Sequence, residues 1–280
     1  MATAAGGDFI SRLPKIYGMY TGGFLVFLVV LALAEYFLNL SDRTIGYVFL
    51  AATIGLYAMI GIMSRTMSSD EYYVAGRRVP AVFNGMATAS DWMSAASFIG
   101  MAGTLYVQGY DGLAFIMGWT GGYCLVALFL APYLRKFGQF TIPDFLGARY
   151  GGHVPRLIGI FIAILCSFTY VVAQIVGTGL IGARLLGMPF ELAVFVGLVG
   201  ILVCSMLGGM RAVTWTQVAQ YIVLIIAYLV PVVILSTQKF GIPVPQLTYG
   251  AVLSEIAAKE AALGITAAAA HVAPFTRYDP

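Results

Sequence analysis

The stretch Ala89-Ser90-Asp91-Trp92-Met93-Ser94-Ala95-Ala96-Ser97-Phe98-Ile99-Gly100 gathers one carboxylate and three hydroxyls into eight positions of an otherwise apolar segment. At membrane depth a carboxylate costs about 3 kcal/mol, so these groups should face the protein interior or a water-filled cavity and mark a site. Ser and Asp side chains also compete for backbone hydrogen bonds. A membrane helix can therefore unwind here and present carbonyl oxygens to a cation, and a helix broken near the midplane is a transporter device. The alternative is structural: Ser90 or Asp91 caps a kink, and Asp91 pairs with a neighbouring helix.

Further along the chain, Tyr170, Gln174 and Thr178 recur at four-residue spacing and so share one helix face. They suit either solute binding or polar contacts between helices. The segments that hold these residues contain no Lys or Arg. An anionic solute would then depend on helix N-termini, hydroxyls, Gln174, Trp92, Tyr170 or a bound cation, which favours a small monocarboxylate over a dianion. Other chemistries find little support. Cys124, Cys166 and Cys204 sit in apolar runs without CxxC spacing and read as buried packing residues. His153 lies among Arg149, Gly151, Gly152 and Arg156, as a solvated loop residue would, and His271 stands alone in the tail. No Gly-rich segment is followed by Lys-Ser or Lys-Thr, so ATP-driven pumping is unsupported. A single candidate carboxylate is too few for an enzyme site.

The elements that must position these residues are membrane helices. Sixty per cent of the 280 residues are hydrophobic and 10% are charged, against about 25% charged in an ordinary soluble domain, so the apolar surface faces lipid. A net charge of +3 is too small to suggest nucleic acid. Windows of about 20 residues give seven predicted spans, at 20–38, 45–63, 82–107, 113–134, 157–183, 192–210 and 212–235. Five carry no Asp, Glu, Lys or Arg, the exceptions being Glu35 in the first and Asp91 in the third. Gly118 and Gly122 in the fourth predict a close helix contact.

Lys and Arg near the span ends divide ten against three. Arg12, Lys15, Arg65, Arg77, Arg78, Arg135, Lys136, Arg149, Arg156 and Arg211 lie on one side, with Arg43, Arg184 and Lys239 on the other. This places the N-terminus in the cytoplasm and the tail after residue 235 outside. No short apolar core with a cleavage site opens the chain, so the first spanning helix is expected to direct insertion. The tail, 236–280, reads as an extracytoplasmic loop with one surface helix, and its uncapped end at Asp279-Pro280 suggests a truncated chain.

Four ordered motifs carry a specific resemblance. Glu71-Tyr72-Tyr73-Val74-Ala75-Gly76-Arg77-Arg78-Val79-Pro80, the Ser94 to Gly103 string, Phe140-Thr141-Ile142-Pro143-Asp144-Phe145-Leu146 with Arg149-Tyr150, and Gly208-Gly209-Met210-Arg211-Ala212-Val213-Thr214-Trp215-Thr216-Gln217 resemble the sodium:solute symporter family. Within it, the Asp-aromatic-Met-Ser-Ala-Ala-Ser-Phe string is similar to the acetate-permease-like group. The resemblance implies an all-α membrane fold of the LeuT-like type, with ten core helices in two inverted repeats of five and a broken first core helix. Residues 69–235 would form the first repeat and 1–68 an N-terminal segment with two peripheral helices, while the second repeat would lie beyond residue 280.

The resemblance also implies a sodium ion, with the proton as the other candidate, held by two carbonyls of the first core helix three residues apart. One alignment puts them at Ser90 and Met93 and another at Ala89 and Trp92; the first has the longer match. Asp91 would contribute to ion affinity, and Ser94, Ser97, Tyr170 and Gln174 are candidate solute contacts. The expected function is sodium-coupled symport of a short monocarboxylate such as acetate, in the inner membrane. Its competitor is a membrane scaffold that binds a partner and transports nothing. A retinal-type pump would need a Lys inside a span, and Lys15, Lys136, Lys239 and Lys259 all lie outside.

Overall fold

The computed structural model describes residues 2–265, all of whose regular structure is helical. His271 and the end of the tail lie outside the described residues. Helix α1 spans Ala2–Leu38, α2 Asp42–Met63, α3 Ser69–Val74, α4 Ala81–Trp92, α5 Met101–Gln108, α6 Leu113–Leu125, α7 Ala131–Phe137, α8 Ile142–Tyr150, α9 His153–Leu186, α10 Phe190–Phe240 and α11 Pro245–Ala262. Among the described residues, five stretches are long and apolar enough to cross a membrane: Ser11–Leu38, Asp42–Met63, Ser97–Phe137, His153–Leu186 and Gly208–Phe240. The seven predicted spans all fall on helix but are cut differently. The third is broken after Trp92, and its second half continues through a 3₁₀ turn at Gly109–Gly112 into the fourth. The sixth and seventh are joined as α10.

The residues fall into two compact units, the first comprising residues 1–94 and 172–227 and the second 95–171 and 228–280. In the first unit the buried core is small and concentrated on α10, where Ala212, Val218 and Ala219 are fully enclosed. Two tyrosines tie helices together through carbonyl oxygens. Tyr17 on α1 donates to Trp215 O at 3.0 Å, and Tyr47 on α2 donates to Leu186 O at 2.9 Å. The Tyr17 ring also lies 5.5 Å from Phe83 and 6.4 Å from Trp215. Within α10 the chain kinks at Gly209, whose φ of 51° and ψ of −142° are open to glycine and strained for other residues.

The approach to α4 is unusual. Ala75, Gly76 and Arg77 all have positive φ, at 48°, 62° and 54°, so three successive residues, two of them not glycine, occupy left-handed backbone. Glu71 forms an ion pair with Arg78 and lies 3.9 Å from Arg211, which holds this turn beside the α10 kink.

In the second unit two π-helical turns interrupt regular helix, at Ala96–Gly100 and Val126–Leu130. The latter runs directly into α7, which carries Pro132 in its first turn. A proline ring clashes with the carbonyl four residues back in a regular helix, and a π turn relieves that contact. The Thr141-Ile142-Pro143-Asp144 motif is a helix start. Thr141 caps α8 by accepting from Asp144 N at 3.2 Å, and Asp144 pairs with Arg156 at 2.8 Å. His153, expected in a loop, begins α9. The predicted surface helix of the tail is α11, anchored to the end of α10. There the Ser236 hydroxyl donates to Ile242 O at 2.7 Å and lies 3.0 Å from Thr248 Oγ1.

Two packing expectations are corrected. Cys124 and Cys166 are exposed on apolar helices, not buried, because they lie on outward faces that need lipid or further protein to cover them; the Cys204 side chain lies outside the described residues. No atom outside its own helix and neighbouring residues comes within 4 Å of where a β-carbon would stand on Gly118 or Gly122, so the predicted close contact is not made among the described residues.

Candidate functional site

Helix α4 ends inside the polar cluster. Met93 leaves helical geometry with ψ of 68°, and its N–H is shared between Ala89 O and Ser90 O, both at 3.1 Å. Ser94 N then donates to Trp92 O at 2.8 Å, a tight three-residue γ-turn that the regular helix does not contain. The chain resumes as helix at Ala95 and passes through the first π turn. The interruption therefore lies at Met93 and Ser94, among backbone carbonyls that both alignments bring forward as ion ligands.

Around the break the first unit brings three side chains together. Ser90 is 4% exposed, and its hydroxyl donates to Gln217 Oε1 at 2.7 Å. The Gln217 amide in turn donates to Asp91 Oδ1 at 3.3 Å. Asp91 itself is exposed. Gln217, half-buried, stands two turns beyond the Gly209 kink, in a stretch of α10 where Thr214, Thr216 and Val218 are buried. A cavity of about 330 Å³ adjoins it, lined by Ile54 and Tyr57 of α2 and by Thr216 and Gln220 of α10.

The other candidates are placed less closely. Ala89, Trp92 and Met93 are half-buried at the end of α4, and Ser94 closes the first unit. Gln174 belongs to the first unit, where its backbone carbonyl accepts the Thr178 hydroxyl at 2.9 Å. Ser97 lies in the π turn and Tyr170 is half-exposed on α9, both in the second unit. Sequence reasoning gave Gln217 no role. Its signal was present, since Thr214, Thr216, Gln217 and Gln220 crowd polar atoms into an apolar span, and such groups seek an internal partner.

Long apolar helices with an interrupted one, its gap flanked by a carboxylate and hydroxyls, define a multi-pass membrane protein built as transporters are. The chain belongs to the sodium:solute symporter family, whose model matches residues 72–260. It is 57% identical over 258 residues to an uncharacterized symporter of Cupriavidus necator, covering 90% of this chain and 38% of that protein. It is 34% identical over 197 residues to the uncharacterized symporter YwcA of Bacillus subtilis, covering 70% of this chain and 38% of that protein. The chain thus spans about two fifths of the length of these curated relatives. No solved structure matches it. The family is one of symporters, and both relatives carry that name.

Proposed function

We propose that the protein is a sodium-coupled secondary symporter of a short monocarboxylate such as acetate, working by alternating access from the inner membrane with its N-terminus in the cytoplasm. The observation that carries this reading is the break at Met93 and Ser94, where an interrupted helix sets a carboxylate beside loosened carbonyls within the region matched to the family. The cation is a co-substrate. Carbonyls of Ser90 and Met93, with Ala89 and Trp92 as the alternative pair, supply neutral oxygen ligands, and Asp91 supplies the charge that offsets cation dehydration. Ser94, Ser97, Tyr170 and Gln174 contribute hydroxyl and amide contacts to the solute. With no Lys or Arg in this part of the core, the bound cation itself attracts the carboxylate of the solute, which couples the two fluxes. The second repeat, which would bring the remaining ligands, is expected from residues beyond 280.

The test is uptake of acetate into proteoliposomes holding the product of the full reading frame, with and without a sodium gradient. Asp91→Asn keeps size and hydrogen bonding while removing charge. It should raise the half-saturating sodium concentration about tenfold, the equivalent of about 1.4 kcal/mol, at matched protein content. Uptake by the unaltered protein that ignores both sodium and protons would sink the reading.

A further inference from the structure

We infer that Gln217 is a positioning residue for the ion site, a neutral bridge that fixes the Asp91 carboxylate at the helix break by holding Ser90 with one end of its amide and Asp91 with the other. The inference rests on the symport reading above. Its physical basis is the pairing of donors and acceptors. A carboxylate accepts and does not donate, so the NH₂ of Gln217 has to face Asp91, and the carbonyl is left to receive the Ser90 hydroxyl. Turning the amide over would set oxygen against oxygen. Ser90 is the firmer anchor, being buried and bonded at 2.7 Å, while the contact to the exposed Asp91 is 3.3 Å.

The chemistry of the bridge matters as much as its geometry. An Arg or Lys at 217 would neutralise Asp91 and compete with a cation for it, whereas an amide restrains the carboxylate and leaves its charge available. The anchor is needed because the cavity of about 330 Å³ beside Gln217 gives the side chain somewhere else to go. Without the Ser90 hydroxyl the amide is free to turn toward Tyr57 and Gln220, and Asp91 loses its restraint. The bridge also joins α4 directly to the part of α10 that follows the Gly209 kink.

The experiment is a double-mutant cycle on sodium dependence in proteoliposomes, using the full reading frame. Gln217→Leu should raise the half-saturating sodium concentration about tenfold, while the KM for acetate at saturating sodium stays within twofold. Combined with Asp91→Asn it should add nothing to the effect of Asp91→Asn alone, because the residue acts only through that carboxylate. Ser90→Ala, a smaller change, should raise half-saturation about threefold and be equally silent in the Asp91→Asn background. It decides the matter if Gln217→Leu does not assemble. Effects that multiply in the double variants, or that fall on acetate KM and maximal rate instead of on sodium, overturn the inference while leaving sodium-coupled symport intact. Wild-type uptake indifferent to sodium overturns both.

Discussion

Gly209 lies so close to Tyr72 that a β-carbon on it would stand 2.5 Å from the Tyr72 carbonyl oxygen and 2.7 Å from its ring. Two separate demands meet at this one residue. The backbone adopts a conformation that only glycine takes without strain, and the Tyr72 main chain occupies the space a side chain would need. The predicted spans 192–210 and 212–235 meet here, and this contact sets where the first gives way to the second.

Gly209→Ala should therefore be severe. The backbone strain alone is about 2 kcal/mol, and the clash with a main-chain oxygen adds to it. Thermal unfolding in detergent should show a clear loss of stability relative to Gly85→Ala, a helical site with no atom outside its helix and chain neighbours within 4 Å of the new methyl group. Equal behaviour of the two variants would show that the kink does not need glycine.

The α10–α11 corner should respond to acid. Glu255 is held below the usual carboxylate range by its hydrogen bond to Lys239, then by that residue's charge, with Lys259 at 3.4 Å adding to it. A carboxyl that is more acidic in the folded state contributes stability above its unfolded pKa and loses it as pH falls through the folded value. Amide exchange in α11, corrected for intrinsic rates, should thus be slowest near neutrality and speed up below about pH 4. Glu255→Gln should flatten that dependence.

Topology can be read with a single thiol. With Cys124, Cys166 and Cys204 replaced, a cysteine at the exposed Ser69 should resist a membrane-impermeant reagent added outside and react once the membrane is opened. Labelling in sealed right-side-out vesicles would reject the cytoplasmic placement of the segment that precedes α4.

Tyr17 separates a hydrogen bond from ring packing. Tyr17→Phe removes only the bond to Trp215 O and should cost about 1 kcal/mol. Tyr17→Ala also removes the contacts with Phe83 and Trp215 and should cost about 3 kcal/mol. Both are measured as midpoint shifts in detergent unfolding. Equal losses would mean the hydroxyl carries the whole contact between α1 and α10.

Much of this organisation was legible from local chemistry. The Ser and Asp content of residues 90–97 pointed to an interrupted helix, and the interruption falls at Met93 and Ser94. Hydropathy located the apolar segments but said nothing of how they join, which is why two spans emerge as one kinked α10. A proline in the first turn with Thr141 as cap starts a helix, and α8 results. The bridge from Gln217 to Ser90 and Asp91 joins residues 127 and 126 positions apart. Periodicity reports which face a residue occupies, never which distant partner waits there, so that part of the site required coordinates.

The π-helical turn between α6 and α7 has a consequence for how these two helices present themselves. Each such turn takes up one residue more than a regular turn, which rotates everything beyond it by about 100° around the helix axis. Residues of α6 before Val126 and of α7 after Leu130 consequently follow two different angular phases. A stripe drawn at a constant 3.6-residue step from α6 into α7 drifts off its own face at that turn. Deleting one residue from Val126–Leu130 would turn every α7 side chain by about 100° relative to those of α6.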